Sequence, residues 1–205
     1  MTLTRRSFIV TAGALGTLQG CTALDLLGGG GVPGDIFELQ PATLPAARAQ
    51  SSRRLLVLAP ETSAALDSDR ILIRSDPLAV TYLPDARWSD SVPRMLQGAM
   101  VRTLASAGRL GFVGAQGSGP VPDVVLFTRI DAFDVLASPG TVVTARIDCT
   151  LTVLRDRDQR VLGTRIMRAS RTLPDDRGET IARAFQAMLD DLLPEAMAWV
   201  LARAA

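Results

Sequence analysis

The chain has 205 residues, 47% of them hydrophobic, with 22 basic side chains, all arginine, against 21 acidic ones. This near-neutral balance, with no basic block and no aromatic–basic alternation, argues against nucleic acid as a partner. Histidine and lysine are absent, which removes the commonest general base, the commonest metal ligand and the lysine of a phosphate loop, so no metal or other cofactor is expected.

The N-terminus opens on Arg5 and Arg6, followed by an apolar run from Phe8 to Leu18. That length suits an export signal and falls well short of the ~20 residues that span a bilayer. Thr4-Arg5-Arg6-Ser7-Phe8-Ile9 resembles the twin-arginine export signal, and the same residues also suit the Sec route; both stay open. Leu18-Gln19-Gly20-Cys21 resembles the bacterial lipobox, in which the cysteine is acylated and the signal is cut before it. Three acyl chains, each contributing ~0.8 kcal/mol per buried CH₂, make such an anchor effectively permanent. Thr22 after the cysteine resembles an outer-membrane address rather than inner-membrane retention. Residues 1–20 are therefore read as a signal, and 21–35 as the lipidated Cys21 and a Gly-rich tether with an r.m.s. reach of roughly 20 Å. Residues 36–205 are read as one domain. Cleavage removes two arginines and no acid, leaving 20 basic and 21 acidic residues.

Within the domain, Ile36 to Pro41 reads as a first short strand and Leu55 to Leu58 as a buried one ended by Pro60. Arg70 to Pro84 reads as two strands with a turn at Ser75-Asp76-Pro77. Ser91 to Ala107 carries apolar residues at helical spacing, with Ser89 or Ser91 as N-cap and Gly108 at the left-handed end. Val121 to Leu136 and Thr141 to Leu154 are the clearest strands, joined at Ser138-Pro139-Gly140. In the second, Ala145, Ile147, Cys149, Leu151 and Val153 face one way and polar residues the other. Arg155 to Gln159 turns the chain, and Val161 to Ala169 pairs back. A helical segment from about Gly178 carries Pro194, which is expected to kink or divide it. The expected fold is α+β: a single domain with a mostly antiparallel sheet packed by two main helices.

Little in this pattern suggests catalysis. Cys149 sits on the apolar face of its strand with no histidine to activate it, and reads as a small core residue. With Cys21 acylated it also has no disulfide partner. The pairs Asp67/Asp69, Asp175/Asp176 and Asp190/Asp191 fall in turns or on a helix, without a full oxygen-ligand loop. Gly114 to Pro120 reads as a loop.

Leu66 to Met100 carries Arg70-Ile71, Arg74, Tyr82, Arg87-Trp88 and Met95-Leu96 in order. This series resembles the auxiliary lipoprotein family of ABC-type transport systems, the PqiC-like group; Phe37-Glu38-Leu39 stands where the family has Tyr-x-Leu. The resemblance implies a non-enzymatic periplasmic accessory to a system with an ABC ATPase, a permease and an MCE-domain protein, moving lipids or other hydrophobic molecules between membranes. It also implies that the lipoprotein can form a homo-oligomeric ring. A lipid-binding carrier is the alternative. Tyr82, Arg87 and Trp88 are the candidate partner-binding residues, since Trp and Arg are enriched at binding hot spots. The other reading of Trp88 is a core residue, with Arg87 paired to a nearby carboxylate.

Overall fold

The structure, a computed structural model, describes residues 34–46, 50–117, 119–137 and 142–205. Arg5, Arg6, Leu18, Gly20 and Cys21, nearly all of the tether and the expected turn at 138–140 lie outside the described residues.

Among the described residues the chain forms, in order, β1 (Asp35–Phe37), β2 (Ser51–Val57), β3 (Arg70–Arg74), β4 (Val80–Trp88), α1 (Val92–Ser106), β5 (Leu110–Ala115), β6 (Val124–Leu136), β7 (Thr144–Arg155), β8 (Arg160–Thr172) and α2 (Gly178–Ala204). The eight strands make one sheet, and the domain is α+β, as expected from the sequence pattern.

β6 organises the sheet. One edge carries the antiparallel meander β6–β7–β8, paired along almost the full length of each strand. The other edge is shared by two parallel partners. β2 lies against its start, Leu55 opposite Val124, and β3 against its end, Ile73 opposite Val135. Outside β2 lies β5, also parallel, and outside β3 lies β4, antiparallel, with the short β1 parallel to β4 at the far edge. The long ladders are thus antiparallel and the short ones mostly parallel.

The alternation expected of β7 holds: Ala145, Ile147, Cys149, Leu151 and Val153 are all fully buried. Their cross-strand partners include Val135, Phe133, Ile130 and Leu126 of β6, also buried. The helices cover this face. Ile181, Phe185, Met188, Leu189, Met197 and Val200 of α2 and Leu96, Ala99, Met100 and Leu104 of α1 complete the core.

Several elements differ from the expected ones. β4 continues through Pro84 to Trp88, where a strand end was expected. Its pairing with β3 shifts between Arg70/Arg87 and Leu72/Tyr82, and β1 pairs only from Ala86 onward. Pro84 therefore sits at an irregularity with no ladder bond to lose. β5 was not foreseen, because its LGFVGA carries two glycines. Gly111 is there for close approach: a Cβ on it would meet the Ser52 carbonyl oxygen at 2.9 Å. Pro194 does not divide α2, which runs unbroken from Gly178 to Ala204. Buried Leu193, Ala196 and Met197 on both sides hold the helix against the core across the proline. Ser91 occupies the N-cap position of α1 but makes no side-chain cap bond. Gly108 takes the expected left-handed conformation, φ 59°.

Candidate docking surface

β4 holds the three candidate partner-binding residues, and the structure gives them separate roles. Trp88 is only 2% exposed. Its ring meets Phe133 edge-on at 5.8 Å and Phe185 edge-on at 5.6 Å, while those two stack at 4.3 Å. This trio fills the space between sheet and α2, so the ring of Trp88 is a core element rather than a contact surface. Its backbone N–H donates to the Asp69 carbonyl at 2.7 Å. Arg87 is exposed, and its guanidinium lies 3.4 Å from the Asp69 carboxylate. The Tyr82 hydroxyl donates to the Ala65 carbonyl at 3.1 Å, and the Arg70 guanidinium stands 4.3 Å over its ring. The motif that singles out this stretch therefore encodes packing. Ile71, Trp88, Met95 and Leu96 are buried, Arg70 covers Tyr82, and Arg74 serves an ion pair.

That ion pair was not foreseen. Asp134 is fully buried, although its register opposite Arg146 places it on the face away from the helices. Arg146 donates to both of its carboxylate oxygens at 3.0 Å, and Arg74 Nε donates at 2.6 Å. The carboxylate draws the two guanidiniums inward, which ties the ends of β3, β6 and β7. The sequence signal was an acid inside the apolar stretch Ala132 to Leu136. Beside this cluster lies a groove of about 550 Å³, lined by Arg74, Asp76, Pro77, Leu136, Val142 and Arg146 among others.

The opposite end of the sheet is more highly charged. A groove of about 470 Å³ there is lined by Arg53, Arg54, Asp123, Arg155, Asp156 and Arg157, with Val121 and Pro122. Arg54 holds Asp123 through its backbone N–H and its Nε, both at 2.9 Å, and through Nη2 at 3.0 Å. These donors lower the Asp123 carboxyl from its ordinary 3.8 to about 2. Arg155 is bidentate to Asp158 and holds that carboxyl down as well.

Most members of the remaining acid pairs have structural partners of their own. Asp175 accepts from Arg177, Asp190 from Gln186, and Asp191 pairs with Arg171 at 3.5 Å. Arg171 and Arg165, which pairs with Glu195, bind α2 to β8. Cys149 is fully buried, and burial pushes its thiol up, away from the reactive thiolate. No described helix is long and apolar enough to cross a membrane.

Comparison with solved structures finds the same fold in protein XCC0632 from Xanthomonas campestris. The identity is 24% and the TM-score 0.72, over 82% of this chain and 95% of that one. An uncharacterized protein of known structure aligns at 11% identity and TM-score 0.57, over 81% and 100% of the two chains. No curated protein matches. A family model described as the ABC-type transport auxiliary lipoprotein component matches residues 37–196, which is nearly the whole folded domain. The chain belongs to the ABC-type transport auxiliary lipoprotein family.

Proposed function

We propose that this chain is exported under the signal of residues 1–20, acylated at Cys21 and held at the periplasmic face of the outer membrane. There its domain acts as a docking subunit of an MCE-type ABC transport system that moves lipids or other hydrophobic molecules between membranes. Its partners are an MCE-domain protein, the permease and ATPase of that system, and further copies of itself in a ring. The observation that carries this reading is the family match over residues 37–196, joined to the lipobox at Leu18 to Cys21.

Docking is favoured over lipid carriage by the filled sheet–helix interface. Trp88, Phe133 and Phe185 occupy the middle of the layer where an acyl chain would lie. With a near-neutral domain, affinity for a partner rests on shape and short-range contact rather than long-range attraction. Of the three candidate residues, Arg87 and Tyr82 remain at least partly accessible for it.

Copurification tests the proposal. The acylated protein is expressed with candidate MCE and permease components and isolated in mild detergent, and lipid is extracted from the same sample. Recovery of an MCE or permease component without stoichiometric lipid supports docking. Stoichiometric lipid with neither component supports the carrier and overturns the docking role.

A further inference from the structure

Three of the large apolar side chains that the fold leaves outside share one end of the sheet, while Val121, Val161, Ile36 and Ile166 lie elsewhere. Leu78, in the β3–β4 turn, is 96% exposed, and Val80 and Val142 are 44% and 63% exposed. Pro77 and Val142 line the groove beside the buried Asp134 cluster. The turn is braced: the Asp76 side chain accepts from the Leu78 N–H at 2.9 Å, and the Asp76 carbonyl accepts from the Ala79 N–H at 3.2 Å. Leu78 is thus held out by a fixed turn on two strands that Asp134, through Arg74, anchors to β6. Arg74 and Arg146 in this groove are balanced by Asp134, which pairs with both, and Asp76, so the groove carries no net charge.

β1 is entered from the direction of this turn. β1 is parallel to β4, with Asp35 opposite Ala86, so the end of β1 at Gly34 is the one nearer the β3–β4 turn. Val80 and Ala86 are separated along β4 by about 20 Å at ~3.3 Å per residue. The fourteen residues from Cys21 to Gly34, taken as the Gly-rich tether of the lipid-anchor reading, would have an r.m.s. reach of roughly 20 Å. An acylated Cys21 and the turn can therefore meet one membrane together.

Resting on the lipid-anchor reading above, we propose that the β3–β4 turn is a membrane-contacting tip. Leu78, with Pro77, Val80 and Val142 beside it, enters the interfacial region of the bilayer that holds the Cys21 acyl chains. A few apolar side chains bind a bilayer weakly alone, but the anchor makes the contact intramolecular and raises its effective concentration. The tip fixes which end of the domain faces the membrane and turns the Arg-lined end away from it. Because the groove is neutral, contact does not depend on anionic lipid.

The test uses the full-length acylated protein in phosphatidylcholine vesicles. Leu78→Cys and Val121→Cys are each labelled with an environment-sensitive fluorophore; Val121, itself 72% exposed, is a control at the opposite end of the sheet. Cys149 is buried and Cys21 blocked by acylation, so the introduced thiol takes the label. A label at 78 that shifts to the blue and is quenched by doxyl-lipid, with the label at 121 unaffected, is the expected result. Adding phosphatidylglycerol should leave it unchanged. As a second readout, Leu78→Asp should reduce doxyl quenching of a label placed by Val142→Cys.

A label at 78 that behaves as in water, on protein shown by mass to be acylated, overturns the tip and leaves the anchor standing. A blue shift without doxyl quenching indicates contact with a protein or a second copy and also overturns it. Protein lacking the acyl mass overturns the anchor and the tip together.

Discussion

Trp88 shows what a motif residue can be at the scale of one side chain. As a member of the aromatic trio, its removal leaves a cavity that the flanking strand and helix cannot close. Trp88→Ala should cost about 3–5 kcal/mol, read as a sharply lower melting temperature. An unchanged melting temperature with lost partner binding would return this residue to the docking surface. Asp123 gives a pH prediction. Its carboxyl is held at about 2 against an ordinary 3.8, so it adds stability that is present above pH 3.8 and lost as the pH falls toward 2. Asp131, Asp158 and Asp175 are lowered in the same direction. Denaturant titrations should show stability declining through this window, with a shallower decline in Asp123→Asn. An identical slope in the variant would show that the Arg54 pair carries no linkage. The sequence showed Trp88 as notable but left its role open, because an indole at the end of a strand serves a core or an interface equally well. It gave no sign of the Arg54–Asp123 pair, whose members are 69 positions apart.

Among the elements, α2 is the most dependent on tertiary contact. Gly178 begins it against β4 and β1: a Cβ there would meet the Ala86 side chain at 2.4 Å and Phe37 at 3.4 Å. Gly178→Ala should therefore lose about 1–3 kcal/mol through overpacking, in spite of the higher helix propensity of alanine. A melting temperature equal to or above that of the parent protein would refute this close approach. The helix also shows how local rules yield. Pro194 was expected to kink or divide it, but buried residues on both sides of it outweigh the local cost, and the helix is not divided. The buried face of β7, by contrast, was readable residue by residue, because a half-buried strand writes its geometry as strict alternation, although its ends shift from the expected 141–154 to Thr144–Arg155. β5 was not, because its place between β2 and the solvent is set by Gly111 fitting under a neighbouring backbone.

For the molecule as a whole, anchoring and orientation are the properties to test. Cys21→Ser should abolish acylation, so the mature mass would lack its lipid and the protein would leave the membrane fraction or remain uncleaved. Normal fractionation and mass in that variant would overturn the lipoprotein anchor. Replacing Arg5 and Arg6 together by glutamine separates the export routes. Export that persists, in the variant and in a strain lacking the twin-arginine machinery, assigns the Sec route.

The sequence by itself determined the α+β class, the buried face of β7, both helices and the family, because each is written in local periodicity or in short ordered motifs. Its reading of the first 35 residues rests on the same kind of local pattern. Only the tertiary structure decided that Trp88 belongs to the core, that Asp134 is buried under two arginines, and that Leu78, Val80 and Val142 share one end of the sheet. Those facts depend on which strands pair across β6. Pairing between segments tens of residues apart is fixed by the summed burial of the whole sheet, which no short stretch of sequence carries.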